Sequence, residues 1–201
     1  VITVLDYGMG NIRSVVKALE LYTDRVEIGN DPDRLRRSDA LVLPGDGAFA
    51  MAMENLHSLG LVEVIKNHIK EDRPFLGICL GYQLLFERSE EFGESEGLGI
   101  IPGSVVRFNG NELKVPHMGW NQVRIRGESS LLQGIDNNSY FYFIHSYYPT
   151  LSDETWLQGE TDYGISFPSI VGRGNVLATQ FHPEKSHVKG LTIIENFVKS
   201  A

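Results

Sequence analysis

Cysteine, positive charge and long apolar runs are all scarce in this chain. One cysteine, Cys79, stands among 201 residues. No internal disulfide and no cysteine cage for a metal can form, and a reducing compartment, the cytoplasm, is the expected setting. Lys and Arg number 18 against 26 Asp and Glu, giving a formal net charge of −8. Nucleic-acid binders are normally basic, so that class is set aside. No stretch reaches the ~18–20 apolar residues of a membrane span. The opening VITVLDYGMGN has neither a basic n-region nor a signal-type apolar core. There is no internal repeat, no low-complexity tract and no G-x-x-x-x-G-K-[ST] phosphate loop. No metal site is evident and no cofactor is expected. What remains is a chain with 42% hydrophobic residues, long enough to bury a full core as one domain over residues 1–201.

The first half alternates strand and helix patterns. Val1–Leu5, Arg25–Ile28, Ala40–Leu43 and Phe75–Ile78 are short apolar runs, each ended by Gly, Pro, Asn or Asp. Helical spacing follows at Ile12, Val15, Val16 and Leu19, around Ala48–Leu56, at Leu61–Ile69 and at Leu80–Phe86. This order predicts an α/β fold with a mostly parallel central sheet flanked by helices. Past residue 100, short strand candidates dominate: Val105–Phe108, Lys114–Val115, Gln122–Ile125, Tyr140–Tyr147, Thr155–Gln158, Ser169–Val171 and Val176–Phe181. They predict a smaller mixed or antiparallel sheet in the C-terminal half. Gly190–Lys199 reads as a final amphipathic helix. Glu90–Gly97 reads as a solvated acidic loop, and Arg34, Arg36 and Arg37 as a solvated basic face.

The segment Phe75-Leu76-Gly77-Ile78-Cys79-Leu80-Gly81-Tyr82-Gln83 carries the most chemistry. A strand ends at Cys79 and a helix starts at once, with glycines two residues to either side. This is the nucleophile-elbow pattern with sulfur in place of a serine oxygen. It presents the sulfur at the carboxyl end of a parallel strand, where open α/β sheets bind ligands, and at a helix N-terminus, which favours thiolate. A buried structural cysteine is the bland alternative.

A thiolate nucleophile needs a base that is itself oriented. Of six histidines, His57 and His68 read as helix-surface residues, and His117 and His145 as strand residues. His182 in Thr179-Gln180-Phe181-His182-Pro183-Glu184 is best placed. Pro183 favours an extended His182, and Glu184, two residues on, falls on the same face and can hold the imidazole. Oxyanion donors are expected from the Leu80 N–H and from the Leu43-Pro44-Gly45-Asp46-Gly47 turn, through the backbone at Asp46. Gln83, one helical turn after Cys79, can face the same pocket.

Together, Pro44–Ala48, Gly77–Phe86 and His182–Glu184 resemble the loop, elbow and late H-P-E of the class I, triad-type glutamine amidotransferases. Asp6–Asn11, Pro116–Asn121 and Tyr140–Tyr147 resemble one branch, the glutaminase subunits of imidazole glycerol phosphate synthase. The resemblance implies hydrolysis of glutamine through a Cys79 thioester, with His182 and Glu184 completing the triad. It implies that Gly47, Gln83, Ser146 and Tyr147 hold the substrate. It further implies a partner, a cyclase subunit with a (β/α)8 barrel fold, faced by Asn11, Met118, Trp120, Tyr142 and Lys185. Asp46 departs from the small or apolar residue common at its position.

Rival readings rest on fewer residues. Gly8-Met9-Gly10 between strand and helix suggests a dinucleotide loop, but Arg13 stands where the third glycine belongs. A cysteine peptidase would share the elbow without explaining Pro116–Trp120 or Gln83. A binding protein that had lost the reaction would have no need of an intact Cys79, His182 and Glu184. A glutaminase serving another synthase is the main alternative within the family.

Overall fold

The computed structural model describes residues 1–109 and 113–201. Its elements begin with β1 (Ile2–Leu5), α1 (Ile12–Leu19), β2 (Val26–Gly29), α2 (Pro32–Arg37), β3 (Ala40–Leu43), α3 (Phe49–Ser58), α4 (Val62–Lys70) and β4 (Phe75–Ile78). There follow α5 (Leu80–Gln83), β5 (Phe86–Ser89), β6 (Ser95–Glu96), β7 (Ile101–Arg107), β8 (His117–Ile125), β9 (Ser139–His145) and β10 (Tyr147–Leu151). The chain closes with β11 (Leu157–Asp162), β12 (Ser166–Arg173), β13 (Val176–Thr179), a 3-10 turn at Pro183–Lys185, and α6 (His187–Ser200).

Among the described residues, nine strands form one sheet in the order β2-β1-β3-β4-β13-β12-β11-β8-β9. From β2 to β13 every pairing is parallel; beyond β13 the described pairings are antiparallel. A second sheet, β10-β7-β5-β6, lies apart. The parallel strands are buried on both faces, which is why they read as continuous apolar runs. Ala40 and Val42 of β3 join α1 and α6 on one side; Leu41 and Leu43 join α2, α3 and α4 on the other. No described helix is long and apolar enough to cross a membrane.

Several boundaries differ from expectation. α2 was not predicted. Its six residues bury one apolar side chain, Leu35, and two of its three arginines pair outward, Arg34 with Glu27 at 2.7 Å and Arg36 with Asp33 at 2.5 Å. The predicted helix Leu80–Phe86 stops at Gln83, and Phe86 opens β5, which pairs with the distant β7. The predicted strand Tyr140–Tyr147 breaks at Ser146, where the chain leaves the large sheet for the small one. Lys114–Val115 is not a strand, and Thr155–Gln158 begins in a 3-10 turn. Glu90–Gly97 contains β6.

Candidate active site

Three neighbouring parallel strands aim their following loops at one place. β3 leads into Pro44–Gly47, β4 into Cys79 and β13 toward His182, and in the sheet these strands are adjacent. Their carboxyl ends therefore bring together residues far apart in sequence. A cavity of about 280 Å³ opens there, and Asp46, Gly47, Cys79, Leu80, Gln83 and His182 are on its wall. A larger cavity of about 580 Å³ lies at the opposite end of β4 and β13 and contains none of the expected residues.

Cys79 sits at φ +55°, ψ −107°, a conformation that costs an L-residue on the order of 1–3 kcal/mol. Backbone bonds hold it there: its N–H donates to the Thr179 carbonyl at 2.8 Å, and its carbonyl accepts from Tyr82 and Gln83 at 3.1 and 3.2 Å. The flanking glycines are needed for space. A Cβ on Gly81 would stand 1.9 Å from the Leu43 carbonyl oxygen, and one on Gly77 would be 3.0 Å from Ala178 Cβ. Cys79 is buried yet lines the cavity.

His182 is extended, as the following proline demands, but Pro183–Lys185 turns in a 3-10 helix instead of continuing extended. The turn still brings Glu184 Oε1 to 2.8 Å from His182 Nδ1. Ser186 Oγ donates to the His182 carbonyl at 2.6 Å and accepts from the Tyr142 N–H at 2.9 Å. The His182 N–H donates to the Tyr142 carbonyl at 3.0 Å. Burial by itself would depress the basicity of His182. The charge of a Cys79 thiolate and its hydrogen bond, then Glu184, outweigh this and raise the pKa to about 10. His182 is thus held in its protonated form beside the sulfur.

The oxyanion expectation is met only in place. The Leu80 N–H donates to the Gly45 carbonyl at 3.4 Å and is therefore engaged. Asp46, expected to act only through its backbone, also uses its side chain: Oδ1 accepts from the Gly10 N–H at 3.0 Å. Gly10, at φ +97°, lets that turn approach closely; a Cβ there would be 3.1 Å from Gly45 Cα. Gly10 thus serves packing against the Pro44–Gly47 turn, while Gly8 faces Asn55 of α3. Tyr7 donates to the Pro44 carbonyl at 2.7 Å, and burial, with Asp46 and Cys79, pushes its phenol well up.

Gln83 lines the cavity as expected, with its amide nitrogen donating to the Tyr147 carbonyl at 2.9 Å and to Gln180 Oε1 at 3.0 Å. Ser146 and Tyr147 line it too. Two contributors were not foreseen. Glu91, from the loop read as merely solvated, lines the cavity and caps α3 by accepting from the Phe49 N–H at 2.7 Å. Only its place in an acidic loop marked it. His145 also lines the cavity, and His68, read as a surface residue, is buried, because α4 presses it against the Pro74 carbonyl at 3.0 Å. Among the described residues no group of three or more His, Cys, Asp or Glu could hold a metal ion.

Of the residues expected at a partner interface, Met118, Trp120 and Tyr142 sit together on the β8–β9 ladder. Met118 pairs across the β8–β9 ladder with Ile144, and Trp120 with Tyr142. Met118, Trp120, Tyr140 and Ile144 are exposed. His187 stacks on Trp120 at 5.0 Å with ring planes 5° apart. Asn11 caps α1, and Lys185 is exposed beside the His182 turn.

Residues 3–201 match the family described as glutamine amidotransferase class-I. The chain belongs to this family. A relative named imidazole glycerol phosphate synthase subunit HisH from Methanocaldococcus jannaschii is 53% identical over 198 residues, covering 98% of each chain. One of the same name from Syntrophotalea carbinolica is 50% identical over 202 residues, again covering 98% of each. The solved structure of PurLQS from Thermotoga maritima aligns with a TM-score of 0.76 over 98% of this chain and 97% of its own, at 14% identity. At that identity the likeness speaks for the fold. For a class-I amidotransferase, the alternatives of dinucleotide module and peptidase fall away.

Proposed function

We propose that this chain is the glutaminase subunit of an imidazole glycerol phosphate synthase, acting as one domain in the cytoplasm within histidine biosynthesis. The observation that carries the reading is the convergence of Cys79, His182 and Glu184 at one cavity in a chain half identical, end to end, to proteins of that name.

The Cys79 thiolate attacks the side-chain carbonyl carbon of glutamine. The carbonyl electrons move to oxygen, and the tetrahedral adduct collapses by expelling ammonia, which takes its proton from His182. Glu184 keeps the imidazole aligned. Water then gives a proton to His182, attacks the glutamyl thioester and returns the sulfur as thiolate with release of glutamate. Gly47, Gln83, Ser146 and Tyr147 hold the substrate. Gln83, whose amide nitrogen is engaged, offers its oxygen as an acceptor, and together with the Glu91 carboxylate it suits the substrate's ammonium group.

The oxyanion requires the Leu80 N–H and a backbone N–H at Asp46. The first is free only when the Gly45–Asp46 peptide turns away from it. The isolated chain is therefore expected to be a slow glutaminase that the partner accelerates, as steady-state glutamate release with and without the cyclase would show. Asn11, Met118, Trp120, Tyr142 and Lys185 face that partner, a (β/α)8-barrel cyclase that uses the ammonia to make imidazole glycerol phosphate and aminoimidazole carboxamide ribotide. An exposed apolar patch of this kind marks a docking surface.

Cys79→Ala tests the assignment. With the cyclase present, it is expected to abolish glutamine hydrolysis and to leave synthesis from added ammonium salts intact. Equal loss of both activities contradicts the division of labour.

A further inference from the structure

From the β8–β9 ladder to the cavity wall runs a chain of polar groups whose donors and acceptors are fixed from its ends. Asn121 Oδ1 accepts from the Gln122 N–H at 2.8 Å, so the amide nitrogen faces the other way. That nitrogen donates to the Asp162 carbonyl at 2.9 Å and to His117 Nε2 at 3.1 Å. His117 therefore carries its proton on Nδ1 and donates to His145 Nε2 at 2.9 Å. His145 in turn donates from Nδ1 to the Tyr147 carbonyl, which can only accept, at 2.8 Å. The same carbonyl accepts from Gln83 Nε2 at 2.9 Å, and the second Gln83 hydrogen reaches Gln180 Oε1 at 3.0 Å. With its oxygen engaged, Gln180 turns its amide nitrogen toward Cys79 Sγ, 3.9 Å away. Gln180 has no exposed surface, and His117, His145 and Gln83 are buried. Burial pushes His117 to about 4 and His145 to about 3, so both rings are neutral at physiological pH, as the chain requires.

This matters because of the sulfur's other polar neighbour. The Ile144 carbonyl lies 3.9 Å from Sγ. It can accept from a thiol, but it faces a thiolate with its own negative end. An anionic sulfur needs donors in compensation. We propose that Gln180 is a catalytic residue of this site, its side-chain amide donating to the Cys79 thiolate, and that Asn121, His117, His145, Tyr147 and Gln83 hold that amide in its donating orientation. The inference rests on the glutaminase reading for its purpose, while its hydrogen bonds can be tested apart from it. The chain also begins on β8, the strand that carries Met118 and Trp120, so the orientation of an amide at the sulfur is rooted in the partner-facing ladder.

The test replaces Gln180 by Met, which keeps length and removes the N–H donors. In the full chain, the rate of Cys79 alkylation by iodoacetamide is followed over a pH series, beside steady-state glutamine hydrolysis with the cyclase. The other charged or titratable groups around the sulfur are His182, Glu184, Asp46, Glu91, His145 and Tyr7, and Gln180→Met leaves all of them in place. The pH of half-maximal alkylation is expected to rise by about one unit, the size of one charge-assisted hydrogen bond. kcat is expected to fall about tenfold, with KM little changed. An alkylation profile that superimposes on that of the wild type overturns the proposal. A wild-type complex that does not hydrolyse glutamine overturns the glutaminase reading, and the alkylation profiles still judge the hydrogen bond. Should Gln180→Met not fold, nitrogen-15 spectra of the wild type decide. His117 and His145 are both expected as Nδ1–H tautomers, and the Gln180 side-chain NH2 resonance should move when Cys79 is alkylated. An Nε2–H tautomer at either ring, or an unmoved Gln180 resonance, overturns the proposal.

Discussion

Glu184 reaches His182 with one oxygen and leaves the other, buried, without a partner among the described residues. A carboxylate so desolvated gains from whichever cation it can reach, and the imidazolium of His182 is that cation. Burial of His182 works against its charge; the Cys79 thiolate and then Glu184 more than restore it. The sign follows directly. The folded-state pKa, about 10, lies above the ordinary histidine value, so the imidazolium persists at neutral pH and is lost as pH rises toward 10. Glu184→Gln keeps the shape and removes one of the raising influences. Its His182 should lose its proton at lower pH than in the wild type. We expect kcat for glutamine hydrolysis to fall by up to about 10⁴-fold, the loss seen when the orienting carboxylate of a Ser-His-Asp triad is neutralised. The alkaline limb of the pH–rate profile should move to lower pH. A variant that matches the wild type in both respects would show that Glu184 only fills space.

The β8–β9 ladder obeys the period of two along its whole length. His117, Val123, Phe141, Phe143 and His145 point inward and are buried; Met118, Trp120, Tyr140 and Ile144 point outward. Because the inward set supplies the core and the buried histidine chain, the outward set can be altered without disturbing the fold. Met118→Ala with Trp120→Ala should leave the isolated chain's thermal unfolding within about 1 kcal/mol of the wild type. It should weaken binding to the cyclase by at least ~2 kcal/mol, roughly 30-fold, as loss of an aromatic anchor does. Calorimetric titration of the two subunits measures it; undiminished affinity would place the interface elsewhere. This level of structure also shows where the sequence could be read. β3 and β4 are apolar on both faces, each bounded by a turn or by the elbow, and their limits fall where the residues change character. The elbow, His182 and Glu184 were legible because a strained turn and a proline constrain the chain locally. β5 was not, since Phe86–Ser89 becomes a strand only by pairing with β7 at a distance. Glu91 escaped notice for the same reason: its role comes from the N-terminus of α3, 42 residues away in sequence. Gln180 stands in the sequence only as a neighbour of the H-P-E motif, because its meaning depends on Cys79 at the end of β4 and on Gln83 of α5.

At the scale of the whole molecule, folding removes three histidines from water and keeps them uncharged. His68 hangs from α4 with Nε2 on the Pro74 carbonyl and Nδ1 buried without a partner among the described residues; His117 lies on β8 and His145 on β9. Burial depresses His68 to about 4, His117 to about 4 and His145 to about 3. The unfolded chain, with ordinary histidines near 6.5, binds these protons first. Stability is therefore complete above about pH 6.5 and is lost progressively as pH falls toward 4 and 3. His182 acts in the opposite sense, but its contribution changes mainly above 6.5, so it offsets little of the loss. His68 lies outside the cavity around Cys79 and isolates the effect from catalysis. His68→Gln retains a side-chain donor for the Pro74 carbonyl and cannot be protonated. Between pH 7 and 5, its unfolding free energy in urea should fall by roughly 1–2 kcal/mol less than that of the wild type. Parallel losses in the two proteins would mean that acid reaches the fold through its carboxylates and not through the histidines it buries.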